Sequence, residues 1–216
     1  MADQARGWPI AREGVPFLAA AAVPAVAAWI LGWMVVGALF GTAALFIGWF
    51  FRNPLRRVPG GPNLIVSPGD GRVLAVVEEE EPRFLKKRAV RVSIFLSPLN
   101  VHINRTPCAG VVKAIAYSPG RFRVANRPEA TLENEQTAVL LETESGRCIL
   151  CVQVAGYVAR RIVCWVSEGE QVARGERYGL IRFGSRMDLY VPIGTTLRVK
   201  TGDRVVGGES VIGVLP

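Results

Sequence analysis

The chain opens with a long apolar segment, because residues 14–51 contain no charged side chain. A single helix of that length would extend over about 57 Å, whereas the hydrocarbon core of a bilayer is only about 30 Å thick. The pattern therefore predicts a transmembrane helical hairpin over residues 14–51, with its turn near Gly32. One tilted span followed by an interfacial helix is the alternative. The segment greatly exceeds the apolar core of a secretory signal, about 7–15 residues, which excludes that interpretation.

Basic residues flank the apolar segment on both sides: Arg6 and Arg12 precede it, and Arg52, Arg56 and Arg57 follow it. Positive residues favour the cytoplasmic side of a membrane. We therefore expect both ends of the hairpin to face the cytoplasm, with residues 1–13 as a cytoplasmic tail. The predicted location is the cell (inner) membrane, with the remaining domain on its cytoplasmic face.

From residue 52 the pattern changes to short apolar, β-branched runs separated by glycines. Such spacing is typical of an all-β barrel or sandwich. Residues 52–216 are therefore predicted to form one β-rich domain. The predicted strands lie at 73–77, 89–96, 111–116, 138–141, 148–154, 161–166, 178–183, 188–191, 197–199 and 211–215.

An internal repeat refines this fold class. Residues 169–176 (GEQVARGE) match residues 202–209 (GDRVVGGE), 33 residues later. Each copy has the composition of a tight turn that leads into a strand. This pattern resembles the hammerhead turns of barrel-sandwich folds such as lipoyl and biotinyl carrier domains. Neither copy has the Met-Lys turn of a carrier, so the repeat predicts the fold and not the carrier function.

Charge and cysteine content narrow the function. The net charge is +8 and is dominated by arginine, which suits anionic partners. The chain has no run of five basic residues and no nucleic-acid motif, so anionic lipid is favoured and nucleic acid is not expected. Cys148 and Cys151 form a C-x-x-C pair inside an apolar run, which favours reduced core thiols. With a single histidine in the chain, no metal site is expected.

Three residues are candidates for chemistry. His102 is the only histidine, and it is the side chain type best suited to proton transfer near neutral pH. Asp70 lies in the turn sequence Ser-Pro-Gly-Asp-Gly, and Ser185 follows Gly184. Each of the three is also compatible with a purely structural role. Together they would suit a hydrolase triad, although the Gly-x-Ser-x-Gly pattern of a nucleophile elbow is missing around Ser185.

Ordered sequence blocks across residues 50–192 resemble the short, single-domain bacterial form of phosphatidylserine decarboxylase. The apolar segment before residue 50 also resembles that family. The blocks are Phe50-Phe51-Arg52-Asn53-Pro54, Ser67-Pro68-Gly69-Asp70-Gly71, Leu96-Ser97-Pro98-Leu99-Asn100-Val101-His102, Tyr117-Ser118-Pro119-Gly120, Glu133-Asn134-Glu135, Gln153-Val154-Ala155-Gly156, Ala159-Arg160-Arg161-Ile162 and 179–188 (GLIRFGSRMD).

The resemblance implies self-cleavage between Gly184 and Ser185. The products would be chains 1–184 and 185–216, with Ser185 converted to a covalent pyruvoyl group. That group would form a Schiff base with the amine of a membrane phospholipid, phosphatidylserine, and accept the electrons released with carbon dioxide. By the same resemblance His102 is the expected proton donor or base, and Asp70 supports self-cleavage.

One position departs from the family pattern. Longer relatives have a second histidine three residues after the first, where this chain has Arg105. Arginine is not a base at ordinary pH. Either His102 serves both steps, or strain and polarisation by Arg105 suffice for self-cleavage.

Several arginines are candidates for binding the anionic headgroup. They are Arg105, Arg160, Arg161, Arg182 and Arg186.

Alternatives stay open at this point. An archaetidylserine decarboxylase would use the same headgroup chemistry. A non-enzymatic membrane adaptor with a barrel-sandwich domain, or a membrane serine hydrolase, would leave the chain uncut. The family often dimerises, so a homodimer is a further expectation.

Overall fold

The computed structural model describes residues 8–120, 134–156, 162–181 and 185–216. The chain divides into two compact units, Met1–Leu55 and Arg56–Pro216. The first unit is helical. After a short 3-10 turn at Arg12–Gly14, helix α1 covers Val15–Ile30 and helix α2 covers Met34–Phe50. Between them Gly32 has φ +76°, a left-handed conformation that glycine adopts without a steric penalty. The turn is therefore where the sequence predicts it.

The two ends of this helical unit lie side by side. Ala11 N donates to Phe51 O (2.8 Å), and Asn53 N donates to Pro9 O (2.7 Å). The helices thus form a hairpin whose entry and exit are joined by backbone hydrogen bonds. The segment Arg12–Ile30 is long and apolar enough to cross a membrane, whereas Met34–Phe50 is shorter, at 17 residues.

The second unit is built of β-strands, which confirms the predicted mainly β fold. Each predicted run overlaps a strand, and four further strands are only two or three residues long. The strands are β1 Leu64–Val66, β2 Gly71–Glu81, β3 Lys87–Leu96, β4 Ile103–Arg105, β5 Gly110–Ser118, β6 Gln136–Glu142, β7 Cys148–Val154, β8 Ile162–Cys164, β9 Gln171–Val172, β10 Arg177–Ile181, β11 Ser185–Pro192, β12 Thr196–Leu197, β13 Arg204–Val205 and β14 Val211–Val214.

These strands form three antiparallel sheets. The large sheet has the order β13-β2-β3-β11-β7-β6-β5-β9, with β11 and β7 at its centre. Two small sheets have the orders β1-β14-β12 and β4-β10-β8. Side chains alternate across each strand of the large sheet. Its inner face carries the main apolar core, including Leu96, Cys151 and Met187, and its outer face carries a smaller cluster that includes Val152 and Tyr190.

The three sheets contain an internal duplication. The β2–β3 hairpin corresponds to β5–β6, and each pair has a register shift at an equivalent place, Val73/Ala75 in one and Val112/Ala114 in the other. The two small sheets correspond as well, with β1 matching β4 and β14 matching β10. The chain before β2 reads Ser-Pro-Gly-Asp-Gly, and the chain before β5 reads Thr-Pro-Cys-Ala-Gly.

The repeated glycine turns of the sequence are part of this duplication. Gly169 N donates to Val112 O (2.8 Å), and Gly202 N donates to Val73 O (2.8 Å). Each turn then adds a two-residue strand, β9 or β13, to one edge of the large sheet. The repeat is thus a structural element in both halves.

The C-x-x-C pair lies in strand β7. Residues three apart on a strand point to opposite faces, so Cys148 and Cys151 face away from each other. Burial raises the pKa of the Cys151 thiol well above its ordinary value. Both observations agree with the predicted reduced thiols.

The substitution Gly110→Ala tests the close packing at the start of β5. A methyl group there would overlap the carbonyl oxygen of Glu142 on the neighbouring strand. We expect Gly110→Ala to lower the free energy of unfolding by about 1–3 kcal/mol, because overpacking displaces backbone. The measurement is the thermal unfolding of the full chain in detergent. Gly60→Ala is the control, since nothing lies within 4 Å of a Cβ there. Equal stability of both variants would contradict the register described.

Candidate functional site

Two of the candidate residues, Ser185 and His102, lie at a corner where the chain crosses between a small sheet and the large one. Strand β3 continues through a loop to β4, and β10 continues to β11. Since β3 pairs with β11 and β4 pairs with β10, the strand ends before and after the two connections lie side by side. Ser185 lies opposite Leu96 at the end of β3. Ile181 N donates to His102 O (3.3 Å) at the start of β4. The structure therefore brings Ser185 and His102 to the same corner.

Ser185 is the first residue of β11 and is fully buried. Its side chain lies on the inner face, in phase with Met187 and Leu189. Its Oγ has no hydrogen-bond partner among the described residues. A buried hydroxyl without a partner costs about 1–3 kcal/mol. This Oγ is therefore not held by the fold in any stabilising hydrogen bond within the described part of the chain.

His102 is also enclosed, with 1% of its surface exposed. It directly precedes β4 and is separated from β3 by a loop of only five residues, 97–101. The imidazole is therefore shielded from bulk water at the corner that contains Ser185.

Asp70 lies in a turn that packs against the neighbours of Ser185. A methyl group on Gly69 would lie 3.3 Å from Leu96 Cδ2 and 3.5 Å from Met187 Cγ. Both carboxylate oxygens of Asp70 are engaged. Arg56 Nη2 donates to Oδ2 (2.8 Å), and Gly207 N donates to Oδ1 (2.7 Å). The Asp70 carboxylate is thus held in place close behind the strand pair that contains Ser185.

Arg105 connects this turn to strand β4. Its backbone N donates to Pro68 O (2.8 Å), and its Nη1 donates to Gly175 O (2.9 Å). The side chain is 6% exposed. Arg105 therefore binds two loops of the protein to each other beside the candidate site.

Burial is the main reason that the pKa of Arg105 falls to about 10. The positive charges of Arg177 and Arg56 lower it further, while Asp70 and Glu209 raise it. The guanidinium still stays protonated at neutral pH. Arg105 therefore supplies a fixed positive charge here, and not a base.

The other arginine candidates are placed differently. Arg186 is buried and follows Ser185 directly, so it points to the outer face of the sheet. There its Nη2 donates to Asp188 Oδ2 (2.9 Å). Arg160, Arg161 and Arg182 lie outside the described residues, and so does Gly184.

Two polar residues at this corner were not among the candidates from sequence. Gln153 Nε2 donates to Asn104 Oδ1 (2.8 Å), and both side chains are fully buried. Asn104 Nδ2 and Gln153 Oε1 have no partner within the described parts of the chain. Asn104 is two residues from His102, so alternation along β4 was the available signal. That strand was too short to recognise.

The site thus combines a buried hydroxyl, a buried imidazole and a buried amide pair, with the ion-paired and partly exposed carboxylate of Asp70 in an adjacent turn. Within the described ranges, no group of three or more His, Cys, Asp or Glu side chains lies close enough to hold a metal ion. A buried serine hydroxyl with an imidazole at the same corner is suited to nucleophilic chemistry.

Comparison with known proteins identifies the family of this chain. The sequence profile of phosphatidylserine decarboxylase matches residues 43–213. A phosphatidylserine decarboxylase proenzyme of Geotalea uraniireducens is 48% identical over 211 residues, which cover 98% of this chain and 99% of the relative. The protein with the same name from Symbiobacterium thermophilum is 49% identical over 207 residues, 96% of each chain. In Nitrosomonas europaea the identity is 45% over 94% of each chain. The chain therefore belongs to the phosphatidylserine decarboxylase family.

Proposed function

We propose that this protein decarboxylates phosphatidylserine to phosphatidylethanolamine after cutting its own chain. Family membership over nearly the full length supports the reaction, and relatives that are named proenzymes support the processing. The observation that carries the proposal is Ser185, whose buried Oγ begins a central strand and has no partner among the described residues.

Self-cleavage would take place at the bond between Gly184 and Ser185. Ser185 Oγ bonds to the carbonyl carbon of residue 184, and the C–N bond breaks while the nitrogen takes up a proton. An ester then replaces the peptide. Elimination at residue 185 would break the ester C–O bond and release the 1–184 chain as a carboxylate. Hydrolysis of the remaining dehydroalanine would consume water, release ammonia and leave a pyruvoyl group on the 185–216 chain. The burial of Ser185 supports this assignment, because it limits access of water that would hydrolyse the ester before elimination takes place.

Decarboxylation needs an electron sink, which protein side chains do not supply. A pyruvoyl group formed from Ser185 would supply this sink for the electron pair that remains when carbon dioxide leaves. His102, enclosed at the same corner, is the proposed proton donor to the resulting carbon or base for Ser185. Asp70 is proposed to support self-cleavage through its position behind the β3–β11 pair.

The anionic headgroup also needs a binding site. The proposed ligands are the arginines Arg105, Arg160, Arg161, Arg182 and Arg186. Arg105 already binds Gly175, and Arg186 binds Asp188 on the face of the sheet opposite Ser185, so a phosphate at either arginine would compete with those contacts.

Membrane attachment fits this substrate, whose acyl chains stay in the bilayer. We propose that residues 14–51 form a transmembrane hairpin after a cytoplasmic tail, 1–13, and that the catalytic domain, 52–216, lies on the cytoplasmic face of the cell membrane. The apolar Arg12–Ile30 segment supports it. The duplicated sheets support a barrel-sandwich arrangement like that of lipoyl and biotinyl domains, and a homodimer is expected from the family.

Processing is tested by denaturing mass spectrometry of the purified full chain. We expect chains that meet at 184/185, the shorter one lighter than unmodified 185–216 by one ammonia. Ser185→Ala should stay uncut because it lacks the nucleophile. Ser93→Ala, another buried serine of the large sheet, is the control and should be cut. An uncut native chain from a folded preparation would refute the proposal.

The role of His102 is tested with His102→Ala. We expect decarboxylation per cleaved molecule to fall by about 10²–10⁴-fold, the usual contribution of a general acid or base. Lipid product is measured by chromatography and the cleaved fraction by mass spectrometry. A slower but measurable cleavage, together with this fall in turnover per cleaved molecule, would assign both steps to His102. Unchanged turnover per cleaved molecule would exclude it from decarboxylation.

Asp70→Asn and Arg56→Gln form a matched pair, since both break the same ion pair. Each loses a charge-assisted hydrogen bond worth about 1.5–3 kcal/mol. Only Asp70→Asn also removes the carboxylate charge. We expect Asp70→Asn to be cleaved at least tenfold more slowly than Arg56→Gln, as judged by a time course of the two products. Equal rates would reduce Asp70 to a structural partner of Arg56.

A further inference from the structure

The Asn104–Gln153 pair is an unusual use of buried polar groups. Each side chain is 0% exposed, and one hydrogen bond of 2.8 Å joins them. One amide N–H₂ and one amide oxygen remain without a partner within the described residues. This holds whichever way the two amides are turned, because their mutual bond always uses one nitrogen and one oxygen. A buried polar pair with half of its hydrogen-bonding groups unsatisfied lowers the stability of the fold, and a functional role is one reason for such a pair to be present.

The duplication allows Asn104 to be compared with the residue at the equivalent position of the other half. Asn104 lies opposite Gly179 in the β4–β10 pair, and Ile65 lies opposite Gly213 in the equivalent β1–β14 pair. Ile65 is fully buried and belongs to the main apolar core. An apolar side chain therefore packs well at the position equivalent to Asn104.

The same holds for Gln153. It lies opposite Met187 in the central β11–β7 pair, and the register of that pair places Val191 opposite Ile149. Exchange of the two halves of the large sheet relates Gln153 to Val191. Val191 is fully buried in the main core as well. The other half thus has Ile65 and Val191 where this half has two amides.

The amide pair lies on the same face as Ser185. Gln153 is opposite Met187, two residues along β11 from Ser185, so Gln153 and Ser185 are diagonal neighbours. Such neighbours lie about 7–8 Å apart, within reach of a long side chain. A Cβ on Gly179 would lie 2.8 Å from Gln153 Nε2, so the amide pair fills the space between β7 and β10. Strand β10 leads directly to the proposed cleavage point.

We propose that Asn104 and Gln153 are the groups that promote the acyl shift from nitrogen to oxygen at Ser185, an inference that rests on the proposed self-cleavage. In the reacting molecule the Ser185 hydroxyl, which has no partner among the described residues, would donate to the free amide oxygen and be oriented by it. The free N–H₂ would donate to the carbonyl oxygen that becomes negative when Oγ bonds to its carbon. The C–N bond then breaks, its electron pair stays on the nitrogen, and the hydroxyl proton ends there. The step is an isomerisation and needs no other reactant.

The test replaces the amide pair by the apolar pair of the other half. The variant is Asn104→Ile with Gln153→Val in the full chain, made by cell-free synthesis with detergent. Loss of an oxyanion donor slows such chemistry by about 10²–10³-fold, so we expect self-cleavage at least 100-fold slower than native. Because both polar partners are replaced together, stability should be equal or higher. It is measured by thermal unfolding in an uncut Ser185→Ala background.

Asn104→Ala and Ile65→Ala provide the matched control, since they truncate equivalent positions of the two halves. Only Asn104→Ala should slow cleavage 100-fold, whereas Ile65→Ala should stay within threefold of native even though it loses core packing. Cleavage of the double variant or of Asn104→Ala within threefold of native would overturn the inference, and so would equal slowing by Ile65→Ala. An uncut native chain would instead refute the proposed function itself.

Discussion

The pairing of strand β11 on both of its sides is the constraint on which the site depends. Ser185 begins this strand, with β3 along one edge and β7 along the other. The residues just before it lead back to β10, which belongs to a different sheet. The backbone therefore changes sheets next to Ser185, which pairs with Leu96 of β3 and directly precedes the residue at which pairing with β7 begins. This pairing limits the movement of a nucleophile at the first residue of β11, which lowers the entropic cost of an intramolecular attack.

The duplicated architecture explains how a small β domain can contain such a site. Both halves use the same turns, bulges and sheet order. These shared features build the packed sheets and do not account for the polar site. The chemistry lies where the halves differ. Asp70, before β2, is equivalent to Ala109, before β5. Asn104, in β4, is equivalent to Ile65, in β1. The conserved part of the duplication provides rigidity, and the divergent part provides the polar groups.

The sequence predicted the long strands because alternating or continuous apolar runs persist over several residues. Strand β4 escaped, since Ile-Asn-Arg has no apolar pattern and exists only through its pairing with β10. Without β4, nothing indicated that Asn104 is buried. The predicted strand 188–191 also began too late to reveal that Arg186 and Ser185 face opposite sides of β11. Register and face need the partner strand, which the residues by themselves do not name.

The distribution of strands on either side of residue 184 has a consequence for the folded state. The segment after it supplies β11 and β13 to the large sheet and β12 and β14 to a small one, where β1 lies beside β14. In the processed form that we propose, these strands would belong to a separate polypeptide interleaved with the first. Folding of the precursor is unimolecular, but reassembly of the mature protein would be bimolecular and would depend on concentration. Cleavage would therefore make unfolding effectively irreversible, because a molecule that unfolds after the cut does not readily refold to the native state.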